Sequence, residues 1–530
     1  AGLGAGMRGG CLVSSLWLGA LLVPAEAGSL TSNAEGQLLD AAGRVRIFHG
    51  VNTVEKEAPY LPTMESFNTQ NSLTEEDARL LQSWGMNMVR LGVMWPAVMP
   101  APDVVNTTYL SQVKDMVTML SSYGISSLLD MHQDVLSPYL CGEGMPDWVF
   151  DAALNAVGFD RTSDRAFPAP LRVDIPEGED GYPDITACQA NPFFGYYFSF
   201  ESEAAWHGLY SSSDLWDLLA DHWEAVATHL KGTPGLLGYE LINEPWSSRG
   251  DADSLRVLSD SHTLLPLYQR VHDRIRAVDD ETLVFFEPLV LNGYVSAIKP
   301  TDFPTGGPGG EEYANRSVFS YHSYCPSNDD GSPAYMPLCH AVIVPEIWAG
   351  VKKNLAILQT GGFLTEFGAV GDDDDSLTLL QLQTSHADKL FQGWSYWTYK
   401  SFDDITTQNS ATETFFDEKG DLQQAKVKAL ARTYAPTIAG KPDHMHFSPE
   451  SGEFDLTYTV HRTVSSLTSQ VFLQTDLYYP NGFSVRTLPA RQVKWQVNSQ
   501  GEGWILLDVV HDSDLTEGTQ ISVAIAPSSV

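Results

Sequence analysis

Between residues 45 and 434, short apolar runs rich in β-branched residues alternate with longer stretches of helical period. Eight runs read as strands: Val45–Val51, Met88–Val93, Ser126–Met131, Leu236–Ile242, Thr282–Glu287, Ser317–Tyr321, Gly362–Glu366 and Gly393–Thr398. Between and after them lie helical candidates at Thr74–Trp84, Thr108–Tyr123, Ser213–Leu230, His262–Val278, Glu346–Gln359, Leu377–Leu390 and Leu422–Tyr434. In the third of these, Leu215, Leu218, Leu219 and Trp223 recur near the helical period. Eight strand–helix units over about 390 residues predict an α/β fold, a (β/α)8 TIM barrel with insertions. A doubly wound sheet requires a Gly-rich phosphate turn after an early strand, and the sequence has none.

Beyond Ala435-Pro436 the helical period fades. Phe454–Val460, Ser469–Leu477, Gln492–Val497, Trp504–Val510 and Gln520–Ala526 alternate or are β-rich, with turns at Pro480-Asn481-Gly482 and Asn498-Ser499-Gln500-Gly501. They predict a C-terminal antiparallel β-sandwich domain over 437–530, following a catalytic domain over 28–436. Ahead of both, Met7-Arg8, the apolar stretch Leu12 to Val23 and Ala25-Glu26-Ala27 read as a signal peptide ending at 27, with 1–6 as an upstream extension. The apolar stretch is short for a membrane anchor. A secreted or secretory-lumen protein is therefore expected.

The cysteines fit export. Cys141, Cys188, Cys325 and Cys339 remain after cleavage, and four cysteines allow three pairings. Pairing by proximity in sequence gives Cys141–Cys188 and Cys325–Cys339. Zinc is disfavoured because no C-x-x-C spacing occurs. Asn106-Thr107-Thr108 and Asn315-Arg316-Ser317 are glycosylation sequons. The formal net charge is -36, which argues against nucleic acid or an anionic membrane as an electrostatically attracted partner. The run Asp372–Asp375 reads as a solvated loop or helix start, with calcium as its rival.

Polar residues gather where the predicted strands end, the face on which barrel enzymes place their chemistry. Arg90 lies in the second strand, and His132, Gln133 and Asp134 follow the third. Asn243-Glu244 ends the fourth, and His322 and Tyr324 the sixth. Glu366 ends the seventh, and Trp397 the eighth. Glu244 and Glu366 stand 122 positions apart, and two carboxyl groups flanking one bond are what glycoside hydrolysis requires. Retention calls for a separation of about 5–5.5 Å and inversion for about 6.5–9.5 Å.

The motifs Asn243-Glu244-Pro245, Thr365-Glu366-Phe367-Gly368 and His322-Ser323-Tyr324, with Trp397, resemble glycoside hydrolase family 5, a retaining (β/α)8 family. Asp130-Met131-His132-Gln133-Asp134, Trp394-Ser395-Tyr396-Trp397 and the appended β-domain resemble endoglycoceramidases within it, enzymes that release an intact glycan from ceramide. The resemblance implies Glu244 as acid/base and Glu366 as nucleophile. Asn243 is then suited to donate to the sugar 2-hydroxyl, Arg90 and Tyr324 to hold Glu366 ionised, and His322 to bond near Glu244. Trp397 offers a flat face to the sugar, and His132, Asp134 and Lys56 are expected to bind its hydroxyls. No cofactor and no metal are implied.

The substrate implied is a glycosphingolipid or another β-glycoside, met at a membrane or micelle surface, with the oligomeric state left open. Two alternatives share the fold: an exo-acting β-glucosidase on glucosylceramide or steryl glucoside, and a cellulase-like endoglucanase. A carbohydrate-binding protein without turnover is the alternative from another class. The stretch 132–212 is long for a βα connection and dense in aromatics, from Trp148 to Phe200. It reads either as a groove for lipid chains or as a self-packed insertion braced by Cys141–Cys188.

Overall fold

The eight strands close into a parallel barrel: β1 His49–Thr53, β2 Met88–Gly92, β3 Ser126–Asp130, β4 Leu236–Glu240, β5 Leu283–Phe286, β6 Ser317–Ser323, β7 Gly361–Gly368 and β8 Gly393–Trp397. They pair in chain order, and β8 closes onto β1 through Trp394 opposite His49. This computed structural model describes residues 30–247, 259–328, 331–402, 404–407 and 410–528. The predicted signal peptide lies outside them. No described helix is long and apolar enough to cross a membrane.

The lower barrel is apolar. Phe48, Met88, Leu128, Leu237, Phe285 and Phe363 form a buried cluster, with Leu38 packed into it from the N-terminal segment. Gly238 leaves room there, since a Cβ on it would come within 2.5 Å of the Phe285 ring. The polar residues are thereby confined to the upper, carboxyl ends of the strands.

Around the barrel, the helix Ser213–Leu230 buries Leu215, Leu219, Trp223 and Val226 along one face, as its period predicts. Asp373, in the acidic run, caps the helix Asp374–Leu390 by accepting from the backbone N–H groups of Asp375 and Ser376. The run is thus a helix start, where negative charge favours the helix dipole.

The C-terminal region is a two-sheet antiparallel domain. One sheet contains Lys441–Phe447, Phe454–Thr459, Gln520–Pro527 and Phe483–Leu488. The other contains Tyr434–Ile438, Thr468–Gln474, Trp504–His511 and Val493–Gly501, extended by three two-residue strands from the N-terminal segment. Leu456, Val471, Leu507, Ile521 and Val523 are buried in the shared core.

Three expectations change. The run predicted as one strand at Val45–Val51 divides: Val45–Arg46 pairs with Tyr434–Ile438, and the barrel strand begins only at His49. The helix predicted to reach Tyr434 ends at Leu430, and a strand runs through Pro436. Proline cannot donate to a ladder, and a register shift between Tyr434 and Thr437 accommodates it. The turn predicted at Asn498–Gly501 lies within the strand Val493–Gly501. The chain reverses instead at Glu502-Gly503, where Gly503 has a φ of 76°.

Candidate active site

Arg90, fully buried on β2, organises the upper barrel. Its Nε donates to Glu240 Oε2 at 2.5 Å, its Nη1 to Glu366 Oε1 at 2.8 Å and Asn52 Oδ1 at 3.1 Å, and its Nη2 to Asn243 Oδ1 at 2.8 Å. Asp130 lies 3.1 Å and Glu287 3.9 Å from Nη2. Burial opposes the guanidinium charge, but these carboxylates outweigh it and hold the group firmly charged. The rigid fork fixes several partners at once.

Glu366, on β7, also accepts from the Tyr324 hydroxyl at 2.8 Å through Oε2. Two donors on opposite oxygens fix the carboxylate in place. Glu244 follows β4 and differs in every respect. Its φ of 42° lies in the left-handed region, a conformation that costs about 1–3 kcal/mol outside glycine. Gln133 Nε2 holds it there by donating to the carbonyls of Asn243 (2.8 Å) and Glu244 (3.1 Å), and the Glu244 N–H donates to Glu287 Oε1 at 3.2 Å.

Burial, reinforced by the charge of Asp134, pushes the Glu244 carboxyl up to about 7. His322 Nδ1 lies 2.7 Å from Glu244 Oε1. Burial lowers the His322 pKa, so Nδ1 of a neutral ring can accept a hydrogen bond from the protonated Glu244 carboxyl. One oxygen of Glu244, one of Glu366 and a His322 ring nitrogen all lie within 4.8 Å of one another. The pair is thus one protonatable and one held carboxyl, side by side.

Trp397 closes β8. His132 stacks on its ring with centroids 5.2 Å apart, and Lys56 Nζ sits 4.8 Å from the ring centroid. Burial disfavours charge on His132, but Asp130 at 2.7 Å raises its pKa to about 9. Lys56 is buried, 2.8 Å from Asp134, 3.3 Å from Glu143 and 3.6 Å from Asp404, and donates to Thr406 at 2.7 Å. Burial favours the neutral form of Asp134, yet Lys56 and His132 hold it well below the usual carboxylate range. Burial and its acidic neighbours push Glu143 well up.

A cavity of about 1180 Å³ contains Lys56, His132, Asp134, Asn243, Glu244, Tyr324, Glu366 and Trp397. Arg90 and His322 stand behind that lining, in contact with Glu366 and Glu244 respectively. Phe193, Phe194, Val290, Ile298, Val342 and Ile343 also line the cavity, together with Ser327 and Glu346. The insertion after β3 both packs on itself and reaches the cavity. Phe193 and Phe194 face the cavity, while Tyr197 and Phe198 pack on Trp246 with centroids 4.7 and 5.2 Å away. Cys141–Cys188 and Cys325–Cys339 are both bonded, with Cα atoms 5.5 and 5.9 Å apart. Cys325 also lines the cavity. Asn106 caps the helix Thr107–Ser122, and Asn315 is exposed.

Sequence reasoning passed over Asn52, Glu240, Glu287, Glu143, Asp404 and Thr406. The first three had a signal: a polar residue inside or ending an apolar strand is costly without a partner. The last three come from irregular loops and had none.

Residues 51–403 match the family described as Cellulase (glycosyl hydrolase family 5), and residues 432–525 match the Glycoside hydrolase family 5 C-terminal domain. Endoglycoceramidase from Cyanea nozakii is 34% identical over 499 residues, covering 92% of each chain. Endoglycoceramidase from Hydra vulgaris is 33% identical over 480 residues, covering 89% of this chain and 85% of that one. Endo-glycoceramidase II from Rhodococcus sp. superposes with a TM-score of 0.70 at 21% identity, covering 93% of this chain and 99% of that one. Family match, relatives and barrel architecture agree: the chain belongs to glycoside hydrolase family 5, as an endoglycoceramidase-like O-glycosyl hydrolase.

Proposed function

We propose that this protein is a secreted, retaining endoglycosidase that cleaves the bond between glycan and ceramide in glycosphingolipids. One observation carries the substrate: the cavity holding the carboxyl pair is lined by two sets of side chains, polar ones that include His132 and Lys56 beside Trp397, and apolar ones that include Phe193, Val290 and Val342. A molecule that is sugar at one end and hydrocarbon at the other matches this division, whereas a polysaccharide does not. The relatives named endoglycoceramidase give the same direction. The predicted signal peptide and the two disulfides support export.

Retention is supported by the spacing: one oxygen of Glu244 and one of Glu366 lie within 4.8 Å of each other, which suits the narrow carboxyl pair of retaining enzymes better than the wide pair of inverting ones. Glu366 attacks the anomeric carbon while the proton on Glu244 passes to the departing ceramide oxygen. The glycosyl–Glu366 ester is then hydrolysed by water, whose proton returns to Glu244. Asn243, held by Arg90, is placed to donate to the sugar 2-hydroxyl. Trp397 bears the ring at the cleavage point.

The test is incubation with a panel of glycosphingolipids in detergent. Intact oligosaccharide plus ceramide is the expected product, released first as the β-anomer. Release of single sugars from the glycan end, or action on soluble β-glucan alone, would overturn the reading.

A further inference from the structure

A second cavity of about 1100 Å³ adjoins the first. Its walls come from the segments following β1, β2 and β3, with Ile405 from the segment after β8. The apolar side chains of the first cavity come chiefly from the segments after β5 and β6, with Phe193 and Phe194 from the insertion after β3. In the closed barrel order these are opposite arcs of one rim. Lys56 belongs to both cavities, and Glu143 joins them: its Oε1 accepts from Thr406, a residue of the first cavity, at 2.5 Å. A substrate with its lipid over the β5–β6 arc and its scissile bond at the carboxyl pair would direct its glycan toward the β8–β3 arc.

We propose that the second cavity seats the distal sugars of the glycan and selects for uncharged ones. This rests on the glycosphingolipid reading above. Three observations support it. Glu143 is only 4% exposed and lines the cavity, yet its Oε2 has no hydrogen-bond partner among the described residues. A buried carboxyl oxygen without a partner is costly, and a sugar hydroxyl would satisfy it. Tyr60, Trp148 and Tyr182, all half-buried, bring aromatic surface to the wall, the kind of face on which a sugar ring packs.

The charge of the wall decides the selection. Glu57, Asp147, Glu179, Asp180 and Asp184 line the cavity, and Lys56 is the one cation among the described lining residues. Lys56 is already engaged by Asp134, Glu143 and Asp404. A sugar bearing a carboxylate meets like charge here, whereas a neutral sugar meets only hydrogen-bonding groups.

The proposal is tested by hydrolysis of glycosphingolipids with neutral heads of two, three and four sugars, and of a trisaccharide head ending in sialic acid. The kcat/KM should rise roughly tenfold from two to four neutral sugars. The sialylated head should fall roughly tenfold below the neutral trisaccharide at low ionic strength, with the gap narrowing as salt screens the wall. Trp148→Ala should flatten the length dependence. The double change Glu179→Lys and Asp180→Lys, on an exposed loop, should close or invert the neutral preference.

Trp148 Nε1 donates to the Met99 carbonyl at 3.2 Å, so the loop variant keeps the test standing if Trp148→Ala misfolds. A length dependence and a neutral-to-sialylated ratio that both variants leave unmoved overturn the proposal. A separate titration of the Glu366→Gln enzyme with a free neutral tetrasaccharide, followed by tryptophan fluorescence, divides the two ideas. A response without glycolipid cleavage by the unaltered enzyme supports the cavity and overturns the glycolipid reading. Cleavage without a response overturns the cavity and keeps the reading. Neither response nor cleavage overturns both.

Discussion

Two buried cations share the upper barrel, and each stands among more carboxyl groups than it can neutralise. Arg90 faces Asp130, Glu240, Glu287 and Glu366; Lys56 faces Asp134, Glu143 and Asp404. The difference lies in what the clusters open onto. Arg90 is sealed inside the strands, and its planar fork sets the position of Glu366 and Asn243 to within hydrogen-bond tolerance. Lys56 sits on a connection, at the junction of two cavities, and its compact ammonium fixes charge more than angle. On the function proposed above, one cluster holds the reacting groups, and the other holds the wall the substrate meets. An excess of buried acid thus serves aim in one place and recognition in the other.

The comparison can be broken most directly at Glu366. Glu366→Gln should lower kcat by about 10^4-fold or more while circular dichroism shows the fold retained. A milder loss would mean that the Arg90 cluster positions something other than the nucleophile. Next comes Arg90→Ala, which leaves several buried carboxyls unpaired. Denaturant unfolding should show a loss of about 3–5 kcal/mol, together with loss of turnover. Lys56→Gln should act on the other axis, raising KM about tenfold with a much smaller change in kcat. A change confined to kcat would erase the distinction drawn between the clusters.

The smallest expected effect joins the two. Glu244 is protonated below its pKa of about 7, so kcat/KM should fall as pH rises through that value. Asp134, in the Lys56 cluster, raises that pKa after burial has done so. Asp134→Asn removes a negative charge, eases ionisation of Glu244, and should move the alkaline limb of the pH profile to lower pH. An unmoved limb would show the clusters to be electrostatically independent.

The barrel was legible because its strands are short apolar runs separated by helical period, a pattern with few other solutions. The two-sheet tail was legible in five alternating segments. Tyr434–Ile438 escaped notice because Pro436 argues against a strand interior. The run beginning at Val45 misled because one extended stretch serves two sheets, and alternation cannot say where pairing changes hands. Within the site, residues on strands could be placed from their register. Lys56, on a loop, reads like any surface lysine until the fold buries it. Its partners Glu143 and Asp404 carry no local pattern at all, because only tertiary structure brings them together.

That shared first stretch has a consequence for how the protein is made. Val45 pairs with Ile438, and Arg46 with Thr437, so the seam between the two domains joins the beginning of the chain to a point nearly 400 residues later. During synthesis the early segment emerges long before its partner exists. The N-terminal strands cannot complete their sheet until the ribosome has passed the whole barrel. A polypeptide ending at residue 430 should therefore accumulate as a chaperone-dependent, protease-sensitive species rather than as a working catalytic half. The tail is then built after the barrel and locks this early stretch in place.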